Sequence, residues 1–160
     1  MSKSLVQIRL ARVEQAAEIS QLMTVLAGYF VSDPDDTRSA PFLATLTQDS
    51  IEVLLMHPQF CYYVAEVDHV VQGVLCLREQ QHVHHLFVAA ASQRQGLARL
   101  LWIHAKTQAR RQGYNGVFTV NSSLYAVPVC ERLGFVVAAA PVARNGLCYV
   151  PMCTVATAPG

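Results

Sequence analysis

Apolar residues recur every three to four positions in three stretches of the chain, which is the spacing of an amphipathic helix. The first stretch covers Glu14–Gly28 and the second about Phe42–Met56, with a break near Thr47. The third follows Gly96 and ends at Gly113, and a glycine behind basic residues is typical of a helix C-terminus. The pattern therefore predicts three helices.

Strands are indicated where apolar residues alternate with polar ones or form short continuous runs. These runs cover Val6–Leu10, Phe60–Val67, Val70–Leu77, His82–Val88, Val117–Val120, Phe135–Ala139 and Cys148–Val155. Asp68-His69 and Asn145-Gly146 are residue types of tight hairpin turns. A further short helix is predicted to start at Asn121-Ser122-Ser123 and to end at Leu133-Gly134.

The order of these elements is β-α-α-β-β-β-α-β-α-β-β. It predicts an α/β (α+β) fold with a mixed, mostly antiparallel sheet of about seven strands and helices on both faces. The length of 160 residues fits a single domain over residues 3–156, with no second domain.

Composition narrows the class of protein. Apolar residues make up 52% of the chain and charged residues 14%, which is typical of a globular protein rather than a disordered one. A net charge of +1 predicts no bulk attraction to nucleic acid or to a membrane surface. No apolar run approaches the length of a signal peptide or a membrane span. Scattered cysteines without a CxxC pair favour reduced thiols and a cytoplasmic location; they are Cys61, Cys76, Cys130, Cys148 and Cys153.

The most informative chemistry lies at the start of the third helix. The segment Gln93–Ala98 connects the apolar strand end Leu86-Phe87-Val88 to this helix. Unpaired N–H groups and the positive end of the helix dipole meet at such a turn and attract phosphate. Gly96 lets an anionic ligand approach the backbone because it has no side chain. We therefore expect a phosphorylated cofactor here.

Two segments give the chain a resemblance to the Gcn5-related N-acetyltransferase (GNAT) superfamily. Gln93, Gly96 and Ala98 match the Gln/Arg-x-x-Gly-x-Gly/Ala pattern of that family's acetyl-CoA loop. Asn121 and then the run from Ala126 to Phe135 resemble its downstream asparagine and tyrosine-glutamate-x-leucine-glycine-phenylalanine segment. The order of the elements also agrees with a GNAT-like fold.

The resemblance implies how coenzyme A would be held. Main-chain amides of the turn that follows the motif residue Gln93 would bind the pyrophosphate. They belong to Arg94, Gln95, Gly96, Leu97, Ala98 and Arg99. Leu86, Phe87 and Val88 would pair with pantetheine as with an added strand. Asn121 would bond the cofactor and also cap the short helix. The side chains of Arg94 and Arg99 would meet a phosphate or remain at the surface. An ordinary strand-to-helix turn is the competing interpretation of the whole segment.

Cys130 is the clearest departure from the family pattern. A tyrosine usually stands there and protonates the departing thiolate. The pKa of a free thiol, about 8.5, is compatible with that role, although a cysteine side chain is shorter. Either Cys130 or a water molecule protonates the thiolate, or the tyrosine's role is absent. The alternative for Cys130 itself is a buried, inert thiol. Tyr125, predicted on the same helix, is expected to point elsewhere.

The general base is the second open position. His82 stands where histone-acetylating relatives carry a catalytic glutamate, and His84 is expected on the same strand face, with His85 on the other. A histidine could take the proton of an ammonium substrate through water, or be purely structural. Two same-face histidines without a further ligand do not make a metal site, so no metal is expected.

The leading functional hypothesis is acetyl transfer from acetyl-CoA to a primary amine of a small molecule or peptide, by direct attack in a ternary complex. No Ser-His-Asp set suggests an acyl-enzyme. The alternative is a non-catalytic acyl-CoA-binding sensor or interaction module. Asp33, Asp35 and Asp36 would attract a cationic acceptor or form a solvated loop. An exposed sheet edge near the C-terminus is compatible with a homodimer.

Overall fold

One mixed sheet organises the described part of the chain, which in this computed structural model comprises residues 5–27, 40–93, 95–144 and 147–155. Its strands are β1 (Val6–Leu10), β2 (Phe60–Val67), β3 (Val70–Arg78), β4 (His82–Val88), β5 (Thr119–Ser123), β6 (Phe135–Val137), β7 (Val142–Arg144) and β8 (Leu147–Thr154). The predictions for some residues lie outside the described ranges; these are Gly28, Asp33, Asp35, Asp36, Arg94, Asn145 and Gly146.

The strand order is β1-β2-β3-β4-β5-β8-β6, and β7 pairs with β8. The β4–β5 pair is parallel, and the other pairs within the described residues are antiparallel. The mixed, mostly antiparallel sheet is thus confirmed. It has eight strands rather than about seven, because Val142–Arg144 forms a separate short strand against β8.

The helices are α1 (Ala16–Leu26), α2 (Ala40–Ala44), α3 (Gln48–Leu55), α4 (Leu97–Arg111) and α5 (Val127–Arg132). Thr47 explains the predicted break between α2 and α3. Its side chain accepts a hydrogen bond from the Ser50 amide at 3.2 Å, so it caps the N-terminus of α3. None of the described helices is long and apolar enough to cross a membrane.

Two hydrophobic clusters cover the two faces of the sheet. On the α4 face, Leu75 and Leu77 of β3 pack in one cluster with Leu101 of α4. On the opposite face, which we call the α1 face, Val74 and Cys76 share a cluster with residues of α1 and α3. Because successive side chains of a strand alternate, β3 supplies both cores, and the predicted helices on both faces are confirmed.

The region after α4 differs from the prediction. β5 extends through Asn121 to Ser123, since these residues continue to pair with Pro151 and Tyr149 of β8. The expected helix start at Asn121 is therefore wrong, and α5 begins at Val127 instead. The Ser123 hydroxyl accepts a hydrogen bond from the Ala126 amide at 3.1 Å and supports the turn.

Candidate active site

β4 and β5 run together for only two residue pairs and then diverge. The paired residues are His82 with Thr119 and Val83 with Val120. Beyond them, Leu86–Val88 and Asn121–Ser123 border an opening that we call the slot. A parallel pair that separates in this way leaves main-chain groups on both borders without strand partners.

The hydrogen-bond ladder decides which β4 amides face the slot. The Ala89 amide donates to the Gln72 carbonyl at 2.7 Å, so the neighbouring pair of Gly73 and Val88 is of the non-hydrogen-bonded kind. By the alternation of an antiparallel ladder, Val88 and Leu86 turn their N–H and C=O groups away from β3 and toward the slot. Phe87 pairs its main chain with Val74 and buries its ring on the α1 face.

The same reasoning applies to the β5 border. The Thr154 amide donates to the Phe118 carbonyl at 2.9 Å, which makes the pair of Thr119 and Cys153 a non-hydrogen-bonded one. Asn121 and Ser123, two and four residues further on, therefore direct their main-chain groups away from β8 and toward the slot. The two borders thus turn main-chain groups toward each other, and of these the Val88 and Ser123 carbonyls already accept hydrogen bonds within the chain.

The N-terminus of α4 has the geometry that the sequence predicts for an anion site. Gly96 precedes the helix with a φ of +79°, and its carbonyl accepts from the Leu100 amide at 3.0 Å. No acceptor for the amides of residues 96–99 is found in the described chain. Leu97 is buried and anchors the turn, whereas Arg99 is exposed. A Cβ placed on Gly96 meets nothing within 4 Å, so the approach to these amides is open.

Gln93 and Tyr125 connect the two borders of the slot. The Gln93 side-chain amide donates to the Val88 carbonyl at 3.0 Å, and its oxygen accepts from the Tyr125 hydroxyl at 3.3 Å. Tyr125 lies in the turn between β5 and α5 and not on the helix, so its predicted place in the helix is wrong. Its exposed side chain points away from the buried Cys130, as expected. The contact of Tyr125 with Gln93 is not predicted from the sequence, because the predicted start of α5 lies too early in the chain.

Cys130 lies in α5 with its thiol buried on the α4 face. Its side chain belongs to the cluster around α4, and its Sγ donates to the Ser122 hydroxyl at 3.5 Å. Burial raises the pKa of the Cys130 thiol, while the Ser122 hydrogen bond lowers it by less. The thiol is therefore protonated at neutral pH, but it is a weaker acid than an exposed thiol.

A bulge in β4 rearranges the histidines. The pairing with β3 changes register between Cys76 and Leu77, which oppose His85 and Val83, so His84 is an extra residue. The rings of His84 and His85 consequently lie 4.4 Å apart at their centroids. The prediction that these two side chains lie on opposite faces is wrong, because strict alternation does not continue through a bulge.

All three histidines are held in the neutral form. Burial, and then the charge of Arg78, lower the pKa of His82, whose Nδ1 is hydrogen-bonded to the Thr119 hydroxyl at 2.7 Å. Burial and the same arginine lower the pKa of His84 to about 4. His85 is fully buried with a pKa of about 3 and is hydrogen-bonded to the Tyr62 hydroxyl at 3.0 Å. In the described residues, no three His, Cys, Asp or Glu side chains come together as a metal site.

A cavity of about 180 Å³ adjoins the slot on the α1 face. It is lined by Phe42 of α2, by Asn121 and Ser123 of β5, and by Leu147, Cys148 and Tyr149 of β8. Asn121 and Ser123 belong to both the cavity and the slot border. The cavity therefore begins at the slot and extends across β5 toward β8.

Comparisons with known proteins bear on the family and the fold of this chain. A family model described as an acetyltransferase (GNAT) domain matches residues 30–155. A search of the curated proteins finds no match.

Solved structures with the same fold include two N-acetyltransferases. A GCN5-related N-acetyltransferase from Rhodopseudomonas palustris has a TM-score of 0.78 and 19% identity, covering 96% of this chain and 98% of that one. The PaiA N-acetyltransferase from Thermoplasma acidophilum, solved with coenzyme A, has a TM-score of 0.78 and 10% identity, covering 94% and 98%. A ribosomal-protein-S5-alanine acetyltransferase from Vibrio fischeri has a TM-score of 0.68 and 16% identity, covering 97% of each chain.

Proposed function

This chain belongs to the GNAT acetyltransferase family, and from that premise we propose that it transfers an acetyl group from acetyl-CoA to a primary amine of a small molecule or peptide. The observation that carries the proposal is the slot, whose two borders turn main-chain groups without strand partners toward each other beside the N-terminus of α4. An extended pantetheine arm has amides that such borders can bind in the manner of an added strand.

The residues at α4 fit the charged part of coenzyme A. The amides of residues 96–99 have no acceptor in the described chain, and the helix dipole adds positive potential at the same point. The open space beside Gly96 leaves these donors accessible. We assign the pyrophosphate to this turn, with Arg94 and Arg99 as candidate phosphate contacts from their side chains.

Leu86 and Val88 would act on the acyl end. Acetyl-CoA supplies an activated thioester, and the carbonyl oxygen of this group gains negative charge during attack by an amine. A main-chain N–H that faces the slot stabilises this charge, as in an oxyanion hole. The amine nitrogen bonds to the acetyl carbon and the bond to sulfur breaks, so the amine loses a proton and the thiolate gains one.

His84 and His82 are the proposed acceptors of the amine proton. Both rings are neutral at about pH 7, so a nitrogen lone pair is available to receive a proton, and the lowered pKa makes each ring a weaker base than a free imidazole. His82 is already bonded to Thr119, whereas His84 packs edge-on against Phe60 with centroids 5.0 Å apart. Both histidines lie on the α1 face of the sheet, as the cavity does, and we propose that the proton reaches them through an intervening water molecule.

Two side chains are candidate donors of the thiolate proton. Cys130 stands at the position where the family carries tyrosine, but its raised pKa makes it less acidic than the thiol that it would protonate. Tyr125 brings a phenol to the Val88 end of the slot through Gln93. A water molecule remains the third source.

A non-catalytic acyl-CoA sensor is the second candidate function. The replacement of the family's tyrosine by the buried Cys130 favours it. Calorimetry with coenzyme A, followed by thiol release from acetyl-CoA with a panel of amines, separates the two. Binding with turnover supports the transferase, binding without turnover of any amine supports the sensor, and the absence of binding contradicts both.

A further inference from the structure

We propose that the acceptor is a primary amine carried on one compact, uncharged aromatic body, bound in the cavity between α2, β5 and β8. This inference rests on the proposed acetyltransferase function and deepens it. It concerns the acceptor, which the family match leaves open, and the cavity lining belongs to α2, β5 and β8 rather than to the acetyl-CoA loop.

The lining is apolar and aromatic where it lies far from the slot. Phe42 and Tyr149 contribute rings from α2 and β8, and Leu147 and Cys148 contribute an aliphatic side chain and a thiol beside them. Of the described lining residues, none is acidic or basic. A polycation or a carboxylate would find no partner of opposite charge among these residues, and the part of it that enters the cavity would lose hydration, which is unfavourable.

The size of the cavity favours a single ring. Its volume is about 180 Å³, and a dry apolar cavity of roughly 150 Å³ holds a benzene-sized molecule. Drug-sized ligands occupy pockets of about 300 Å³ or more. A single ring with a short alkylamine therefore fills this partly open cavity, whereas most of a sugar-based antibiotic or of a folded peptide segment would lie outside it.

The position of the polar groups gives the ligand an orientation. Asn121 and Ser123 stand at the end shared with the slot, where the amine must approach the thioester. β8 lies on the other side of β5, so the aromatic body would extend over Leu147 and Tyr149 and under Phe42. The amine then points to the slot and the ring points away from it.

The test compares amines at saturating acetyl-CoA. We expect kcat/KM for 2-phenylethylamine to exceed that for spermidine and for a short alanine-initiated peptide at least about tenfold, the usual worth of a fitted apolar pocket. Phe42→Ala should raise KM for 2-phenylethylamine about tenfold and leave KM for acetyl-CoA within about twofold. Leu43→Ala, on the more exposed side of the same helix, is the matched control and should change neither value.

The outcomes separate this inference from the proposed function. A higher kcat/KM for spermidine or for the peptide, or equal effects of Phe42→Ala and Leu43→Ala, overturns the aromatic acceptor while the transferase stands. Coenzyme A binding without turnover of any amine overturns the transferase and the acceptor together.

Discussion

At the scale of single residues, Gly96 combines two requirements of the site. Its φ of +79° lies in the left-handed region, and its lack of a side chain leaves the helix amides exposed. Gly113, at the other end of α4, also has a positive φ, +98°, and open space around it, but it lies far along the helix from the slot. The pair therefore allows strain and ligand access to be separated.

We predict that Gly96→Val weakens coenzyme A binding at least about tenfold, because each charge-assisted hydrogen bond that is lost is worth roughly 1.5–3 kcal/mol. Gly96→Val and Gly113→Val both place valine at a positive φ and should each reduce the free energy of unfolding by about 1–2 kcal/mol. Gly113→Val should leave coenzyme A binding unchanged. Calorimetry and urea unfolding of both variants provide the measurements. Equal binding by the two variants would place the cofactor elsewhere.

Cys130 and Tyr125 can be distinguished as proton donors by their different environments. The Cys130 thiol is buried, has a raised pKa and already donates to Ser122, whereas the Tyr125 side chain is 55% exposed and reaches Gln93 at the slot. We therefore expect Tyr125→Phe to lower kcat more than Cys130→Ala does, with KM for acetyl-CoA little changed in both. The larger loss in Cys130→Ala would instead assign the proton to the thiol.

At the scale of elements, the divergence of β4 from β5 is what makes the site. The bulge at His84 increases the local twist of β4, and the strand keeps its pairing with β3 while it leaves β5. An edge strand with free main-chain groups inside a sheet is unfavourable unless a ligand or water satisfies them. The slot is therefore the sheet position at which we propose that pantetheine adds as a strand.

Amide hydrogen exchange tests this arrangement. The amides of Leu86 and Val88 should exchange quickly in the free protein, since they face the slot, and should become protected when coenzyme A binds. The Ala89 amide, bonded to the Gln72 carbonyl, is the internal control and should be protected in both states. Slow exchange of Leu86 and Val88 without ligand would contradict the ladder assignment.

At the scale of the whole molecule, the α1 face carries buried histidines inside its core. Folding keeps His85 and His84 neutral, with pKa values of about 3 and 4, against an ordinary value of 6.5. The unfolded chain thus binds more protons below pH 6.5 than the folded one. The contribution of the two histidines to the free energy of unfolding is complete above that pH and is lost as the pH falls toward their folded-state pKa values.

We predict that lowering the pH from 7 to 5 reduces the free energy of unfolding by about 2 kcal/mol for His85 alone. His85→Gln retains a hydrogen-bonding partner for Tyr62 but does not titrate. The loss of unfolding free energy between pH 7 and pH 5 should therefore be smaller in this variant by about that amount. Urea unfolding of both proteins at the two pH values measures it. An equal loss of unfolding free energy in both proteins between the two pH values would show that His85 does not contribute.

The assembly of the molecule stays a prediction. β6 is the last strand of the sheet, it is only three residues long, and its Val136 and Val137 are 47% and 56% exposed. Such an edge is compatible with the expected homodimer but does not require it, because short edge strands also protect monomers.

The sequence by itself located most of the elements and the glycine-containing turn at which we propose the anion site. Apolar periodicity located β2 and β4 with the correct ends, and the glycine-containing turn identified the start of α4, because these signals depend on neighbours along the chain. Only the tertiary structure decided which side chains meet. The bulge that joins His84 to His85, the continuation of β5 through Asn121, and the approach of Tyr125 to Gln93 all depend on pairing with residues distant in sequence. Register and side-chain direction are properties of the paired sheet, and no local pattern specifies them.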